Sequence, residues 1–295
     1  MTPEELVAKA KQADAILCTI TDKITAEFLD QCSHLKVIAQ FGVGYDNVDV
    51  AAATKHKIPV GNTPGVLTDA TADTAFALLL SVARKTLYTH KQILTGDWRS
   101  FEPNKRLGIE LKGRTLGILG LGRIGTEMAR RCTGAYGMTI LYHNRKNNVE
   151  AEKELGARLV SFEQLLRESD IVSAHCALTP ETRGIFNKDA FSKMKDTAIF
   201  INTARGPVHN EEDLYQALVS KQIWGAGLDV TNPEPMNKDN PLLSMENVAV
   251  LPHIGSATIE ARTAMARLAA ENIIGFFKHG KLPHPVKQPP TTSPL

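Results

Sequence analysis

The sequence predicts an α/β protein of two domains, the larger built on a doubly wound parallel sheet. Three observations carry this. Short apolar runs rich in β-branched residues alternate along the chain with helical patterns, the rhythm of strand–helix–strand units. The later runs are apolar throughout, as strands must be when helices cover both faces of their sheet. The 295 residues also exceed one average domain and leave room for two.

An early set of strands is read at Ala15 to Thr19, Val37 to Phe41 and Ile58 to Val60, with helical stretches between them. One long amphipathic helix is expected from Thr68 to Gly96, with Asp69 capping its start and Gly96 ending it. The second set of strands falls near Leu116 to Gly120, Thr139 to Tyr142 and Ile171 to His175. It continues at Thr197 to Asn202, Gly225 to Val230 and Val248 to Leu251. A last helix runs from Thr258 to about Lys278, before a tail, KLPHPVKQPPTTSPL, whose prolines favour an extended or disordered course. Residues 1–62, completed by 258–295, are assigned to the smaller domain and 63–257 to the larger.

Composition narrows the function. The net charge of +2 comes from 34 basic and 32 acidic residues with no basic block, which argues against a nucleic-acid partner. Cys18, Cys32, Cys132 and Cys176 are far apart and form no CxxC pair, so they read as idle thiols of a reducing compartment. The start, MTPEELVAKAKQ, has no apolar core and is not a signal peptide. No apolar run reaches the roughly 18 residues of a membrane span, and the terminal Ser-Pro-Leu lacks the basic residue of a peroxisomal address. A cytoplasmic protein is expected.

The strongest local signal is Gly120-Leu121-Gly122-Arg123-Ile124-Gly125. A lone GxGxxG is weak evidence, but here the strand TLGIL precedes it and the helical RIGTEMARRC follows, which is the context a dinucleotide site requires. Gly120 permits the tight turn, Gly122 lets a pyrophosphate approach the backbone, and Gly125 lets helix and strand pack closely. The helix N-terminus then offers free N–H groups and partial positive charge to the phosphates of a Rossmann-bound cofactor.

The next strand bears on which cofactor. About 20 residues on, an NAD enzyme places a carboxylate on the ribose hydroxyls. This chain has Tyr142-His143-Asn144-Arg145-Lys146 there, with no carboxylate and two cations. Asn144, Arg145 and Lys146 therefore favour the 2′-phosphate of NADPH, with NADH as the lesser possibility.

Three further residues follow strands of the second set: Arg205 after AIFINTA, Glu234 in DVTNPEP, and His253 after VAVLP. Open α/β sheets bind ligands at that edge. Each has a bland reading alone, as a surface charge, a turn residue and a helix cap. Together they supply what carbonyl reduction needs. A guanidinium binds a carboxylate, an imidazolium protonates a carbonyl oxygen, and a carboxylate keeps that imidazole charged.

With these residues in place, the chain resembles the D-isomer-specific 2-hydroxyacid dehydrogenase family over almost its whole length. GNTPGVLTDATAD, LGLGRIG, INTARGP, GLDVTNPEP and LPHIGSAT stand in the family's order and at its spacing. Within the family it is most similar to glyoxylate/hydroxypyruvate reductases, through HNRK and FGVGYDNVD. The resemblance implies a smaller flavodoxin-like substrate domain, a cleft between the domains, and a homodimer built around the helix from Thr68. It implies that Arg205 binds a small 2-keto acid, that His253 is the acid/base and that Glu234 orients it. Val43 and Gly44 would present N–H groups to the substrate carboxylate. Thr68, Arg123, Ile124, Ala177, Thr203, Asp229 and Gly255 fall where relatives line the cofactor, Asp229 near the nicotinamide amide. Ser256 either touches substrate or starts the helix, and His175 is read as packing.

Relatives begin with another βα unit, so the small domain is expected to lack its first one. Either a substitute segment or a dimer contact should then cover the vacated slot. Two rival readings share the fold. A non-catalytic NAD(H)-sensing corepressor would lack activity on keto acids. A phosphoglycerate-type dehydrogenase usually carries an added domain, for which there is no room after His279. Formate dehydrogenases place Gln at the position of Glu234.

Overall fold

The computed structural model describes residues 1–287. The end of the proline-rich tail, for which disorder was one expectation, lies outside the described residues. The chain divides into two compact units. One is Met1–Leu67 together with the described residues from Ala257 onward, and the other is Thr68–Ser256.

The first unit contains α1 (Pro3–Ala10), β1 (Ala15–Cys18), α2 (Ala26–Gln31), β2 (Val37–Gln40), α3 (Val50–Lys55) and β3 (Val60–Gly61). Its sheet is parallel, in the order β1-β2-β3. β3 starts later than the apolar run Ile58 to Val60 predicts. The N–H of Ile58 is spent on Ala53 at the end of α3, and Pro59 has none to give. The C-terminal helix, Ile259–His279, packs on this sheet. Thr258 caps that helix, its side chain accepting the N–H of Ala261 at 3.1 Å. The core beneath is Cys18, Ile24, Leu29, Ile38, Ile58 and Val286.

The expected substitute for a first βα unit is not found: among the described residues β1 pairs with β2 alone. Leu17, in β1, is 49% exposed.

The second unit comprises α4 (Thr68–Ala83), α5 (Thr86–Leu94), β4 (Thr115–Leu119), α6 (Arg123–Tyr136), β5 (Thr139–His143), α7 (Val149–Leu155) and β6 (Arg158–Leu159). It continues with α8 (Phe162–Glu168), β7 (Ile171–Ala174), α9 (Lys188–Ser192), β8 (Ile199–Asn202), α10 (Glu211–Val219), β9 (Gly225–Leu228) and β10 (Val248–Val250). The seven strands run parallel in the order β10-β9-β8-β7-β4-β5-β6. Chain order reverses direction between β4 and β7, which is the switch point where such sheets bind dinucleotides.

Each face of this sheet carries its own core. One is built on Phe186, Phe191 and Phe200, the other on Leu78, Leu79, Ile118, Met128 and Tyr142. Burial on both faces explains why the strands read as unbroken apolar runs.

Two expectations are corrected here. The helix from Thr68 to Gly96 is two helices, broken at Lys85, which takes a left-handed φ of 53°. Three contacts hold the break. The N–H of Ile109 donates to the Ala83 carbonyl at 2.9 Å, Lys85 Nζ donates to Glu246 at 2.9 Å, and the same ammonium lies over Trp224. Asp69 is not a cap but the second residue of α4, and its carboxylate meets Arg131 of α6 at 3.2 Å. Among the described residues no helix is long and apolar enough to cross a membrane.

Candidate active site

The chemistry-bearing residues of the second unit gather at the carboxyl ends of its parallel strands. Gly120 follows β4, and its left-handed φ of 95° suits a glycine. A Cβ there would stand 2.7 Å from the backbone nitrogen of Cys176, so the turn also depends on closeness to the end of β7. At Gly122 a Cβ would meet nothing within 4 Å, which leaves open space above the backbone. At Gly125 it would stand 2.6 Å from the carbonyl oxygen of Gly120, which fixes how near α6 lies to β4. Gly122 is the N-cap of α6 and no side chain caps it. An uncapped helix start with room before it fits the pyrophosphate of a dinucleotide. Arg123 is exposed and Ile124 half-buried in the first turn.

At the end of β5, Arg145 and Lys146 are exposed. Asn144, expected on the 2′-phosphate, has its side-chain amide on the backbone of Leu121 in this structure. Its Oδ1 accepts the Leu121 N–H at 2.8 Å and its Nδ2 donates to the Leu121 carbonyl at 3.3 Å. Asn148 adds a second donor to that carbonyl at 2.9 Å. These amides brace the glycine-rich turn.

His175, after β7, lies between Ser173 Oγ at 2.8 Å and Thr203 Oγ1 at 3.3 Å. Burial pushes its pKa down to about 4, so the ring is neutral near pH 7 and works as a hydrogen-bonded packing residue. Thr203 is thereby tied to β7, while Ala177 has its carbonyl held by Thr182 Oγ1 at 2.7 Å.

Arg205 stands on a turn after β8 that the fully buried Asn202 organises. Asn202 Nδ2 donates to the Arg205 carbonyl and Oδ1 accepts the Ala204 N–H, both at 2.9 Å. The Arg205 guanidinium donates to the Ala204 carbonyl at 2.7 Å and lies near enough to Glu234 to lower that carboxyl's pKa.

His253 and Glu234 are joined directly, His253 Nδ1 to Glu234 Oε1 at 2.5 Å, with both side chains partly open to solvent. Burial pushes the Glu234 pKa up. The His253 hydrogen bond and charge, the Thr231 N–H and the Arg205 charge outweigh it, and the carboxyl is held below its ordinary value. Glu234 is therefore an anion across the neutral range.

The backbone at His253 is unusual, with φ at 54° in the left-handed region. Asp229, buried at the end of β9, holds it there. Its two carboxylate oxygens accept the N–H groups of Ile254 and Gly255, each at 2.8 Å. Burial raises the Asp229 pKa, against the two N–H bonds and the His253 charge, while Glu234 adds to the rise. Asp229 was expected beside the nicotinamide amide, and in this structure its carboxylate clamps the turn that follows His253. Gly255 is buried against the same carboxylate, a Cβ there standing 2.9 Å from Oδ2. Ser256 does not start the helix, since Thr258 caps it. Thr68, half-buried, opens α4.

Val43 and Gly44 belong to the first unit and lie half-buried in the loop after β2. Sequence reading missed Asn202 and the clamping role of Asp229. Polar residues inside otherwise apolar strand ends were the signal available for both.

Comparisons with known proteins agree with this architecture. Residues 76–255 match the model of the D-isomer specific 2-hydroxyacid dehydrogenase NAD-binding domain. The glyoxylate reductase of Korarchaeum cryptofilum is 47% identical over 279 residues, covering 94% of this chain and 83% of the relative. The glyoxylate reductase/hydroxypyruvate reductase of Mus musculus is 44% identical over 276 residues, covering 93% and 84%. Among solved structures, the NADPH-dependent glyoxylate/hydroxypyruvate reductase of Sinorhizobium meliloti, in complex with NADP and malonate, superimposes with a TM-score of 0.85 at 34% identity. That match covers 98% of this chain and 88% of the other. The family model spans most of the large unit, and the relatives match over nearly the whole chain. On that evidence the chain belongs to the D-isomer specific 2-hydroxyacid dehydrogenase family.

Proposed function

We propose that the protein reduces small 2-keto acids, glyoxylate and hydroxypyruvate among them, to D-2-hydroxy acids, preferring NADPH over NADH. The observation that carries the reading is the His253–Glu234 pair, held at the ligand-binding edge of the sheet by the Asp229 clamp. A bound nicotinamide cofactor supplies the hydride for C2 of the keto acid. The residues suited to hold it are Gly120, Gly122 and Gly125 with the start of α6, and Arg145 and Lys146 on the 2′-phosphate. Thr68, Ala177, Thr203, Asp229 and Gly255 complete that proposed set.

The protein's own part is binding, charge and one proton. The Arg205 guanidinium neutralises and orients the substrate carboxylate, and Ser256 adds a polar contact to substrate. With Nδ1 of His253 turned to Glu234, Nε2 is the nitrogen that passes a proton to the carbonyl oxygen. Glu234, held as an anion, orients His253 through its hydrogen bond to Nδ1.

The test is initial rates with glyoxylate, hydroxypyruvate and 2-ketogluconate, each with NADPH and NADH at fixed ionic strength. Turnover with NADPH ahead of NADH is expected. Preference for NADH would remove the cofactor assignment, and failure to turn over any keto acid would favour the corepressor reading.

Glu234→Gln should lower kcat for keto-acid reduction more than it raises the KM for glyoxylate. The amide can still meet Nδ1 of His253, but it brings no negative charge to the proton-transfer step. Steady-state rates against substrate check this, and unchanged constants would take Glu234 out of the mechanism.

We also infer a cytoplasmic homodimer. The free cysteines fit a reducing compartment, and Ile93, Leu94, Trp98, Phe101 and Leu107 expose apolar surface on and after α5.

A further inference from the structure

The loop Gly42-Val43-Gly44 is fastened by its carbonyls. That of Gly42 accepts the N–H of Thr63 at 3.0 Å, and that of Val43 accepts Nδ2 of Asn62 at 2.8 Å. In a planar trans peptide the C=O and N–H point in opposite directions. Fixing both carbonyls toward Asn62 and Thr63 therefore turns the N–H groups of Val43 and Gly44 together to the other side. Two successive N–H groups facing one way form a concavity for an anion. Among the described residues neither group donates a hydrogen bond to another part of the protein.

Asn62 is itself held on three sides. It is only 8% exposed, its N–H donates to the His284 carbonyl at 3.1 Å, and its carbonyl accepts Nδ2 of Asn272 at 3.0 Å. Asn272, fully buried on the C-terminal helix, also accepts the His284 N–H through Oδ1 at 2.9 Å. Gly61 has no side chain to keep this amide away, and a Cβ there would stand 2.6 Å from Asn272 Cγ. One buried amide thus aligns the strand before the loop anchor and the returning C-terminal segment.

We infer that Asn62 is a positioning residue that sets the affinity for the substrate's carboxylate, with Asn272 keeping it in register. This rests on the keto-acid reduction proposed above. Without Nδ2 of Asn62, the Val43 carbonyl loses its partner and the Val43–Gly44 peptide is free to rotate. Rotation would replace the Gly44 N–H by a carbonyl oxygen, which repels a carboxylate. The effect falls on carboxylate binding, because Asn62 bonds to Val43, Asn272 and His284 and to none of the residues proposed for the cofactor.

The test uses full-length protein loaded with NADPH, and oxamate as a carboxylate that is not reduced. Asn62→Ala should raise the KM for glyoxylate and the Kd of oxamate in parallel, by roughly tenfold for a lost, desolvated hydrogen bond. The Kd for NADPH should stay within about twofold, since no contact proposed for the cofactor is removed. Asn62→Asp should bind oxamate as poorly at neutral pH, then recover relative to wild type as pH falls, because the protonated carboxyl can donate to the Val43 carbonyl. Packing alone would not produce that recovery. If wild type reduces glyoxylate and binds oxamate while Asn62→Ala changes neither constant, the inference is overturned and the proposed function stands. If Asn62→Ala weakens binding but Asn62→Asp shows no recovery, Asn62 is merely structural and the inference is again overturned. If wild type neither reduces glyoxylate nor binds oxamate, the proposed function itself fails.

Discussion

Replacing His253 by alanine should lower the rate of glyoxylate reduction by roughly 10²–10⁴-fold, the contribution expected of a positioned general acid. The Kd for NADPH should barely change. The variant should fold, because the turn that carries His253 is held through Ile254 and Gly255 by Asp229, not through the imidazole. Glu234 would be left without its partner, still anionic and partly open to solvent. Activity above a third of wild type would show that another group, or water, delivers the proton.

The second large effect concerns cofactor choice. Arg145→Ala should raise the KM for NADPH by about tenfold or more and leave that for NADH nearly unchanged. A charge-assisted hydrogen bond to the 2′-phosphate is strong enough for such a factor, although exposure and salt reduce it. Steady-state rates with both cofactors, repeated at two ionic strengths, check this. An equal loss with NADH would mean that Arg145 supports the turn and does not read the phosphate. Asn144→Asp should act more broadly. One carboxylate oxygen could keep the Leu121 N–H, but the other would face the Leu121 carbonyl that the amide now serves. NADPH should suffer more than NADH, because the same charge repels the 2′-phosphate.

Features written in short stretches of chain are legible in the sequence itself. The glycine-rich turn, the apolar strands of the large sheet and the order of Arg205, Glu234 and His253 all depend on residues close in sequence or on fixed spacing. What escapes a sequence reading depends on partners far apart. The break at Lys85 is held by Ile109, Trp224 and Glu246, and nothing between Thr68 and Gly96 announces it. β6 is two exposed residues, Arg158 and Leu159, too short and too polar to form an apolar run. The place of Asp229 after a strand suggests a cofactor contact, and its two bonds to residues 25 and 26 positions later add a clamping role that its position does not announce. The neighbours of Asn144 suggest a phosphate ligand, and its bonds to the backbone of Leu121, 23 residues earlier, are a bracing role that spacing does not announce. Residue type sets the chemistry available at each position, and distant hydrogen bonds decide where it is spent.

The handedness of the product made from hydroxypyruvate tests the proposed reduction most sharply. Wild-type protein is incubated with NADPH and hydroxypyruvate, and the glycerate formed is resolved on a chiral column. D-glycerate alone is expected, in amounts equal to the NADPH consumed. L-glycerate, a mixture of the two, or no consumption of NADPH would contradict it.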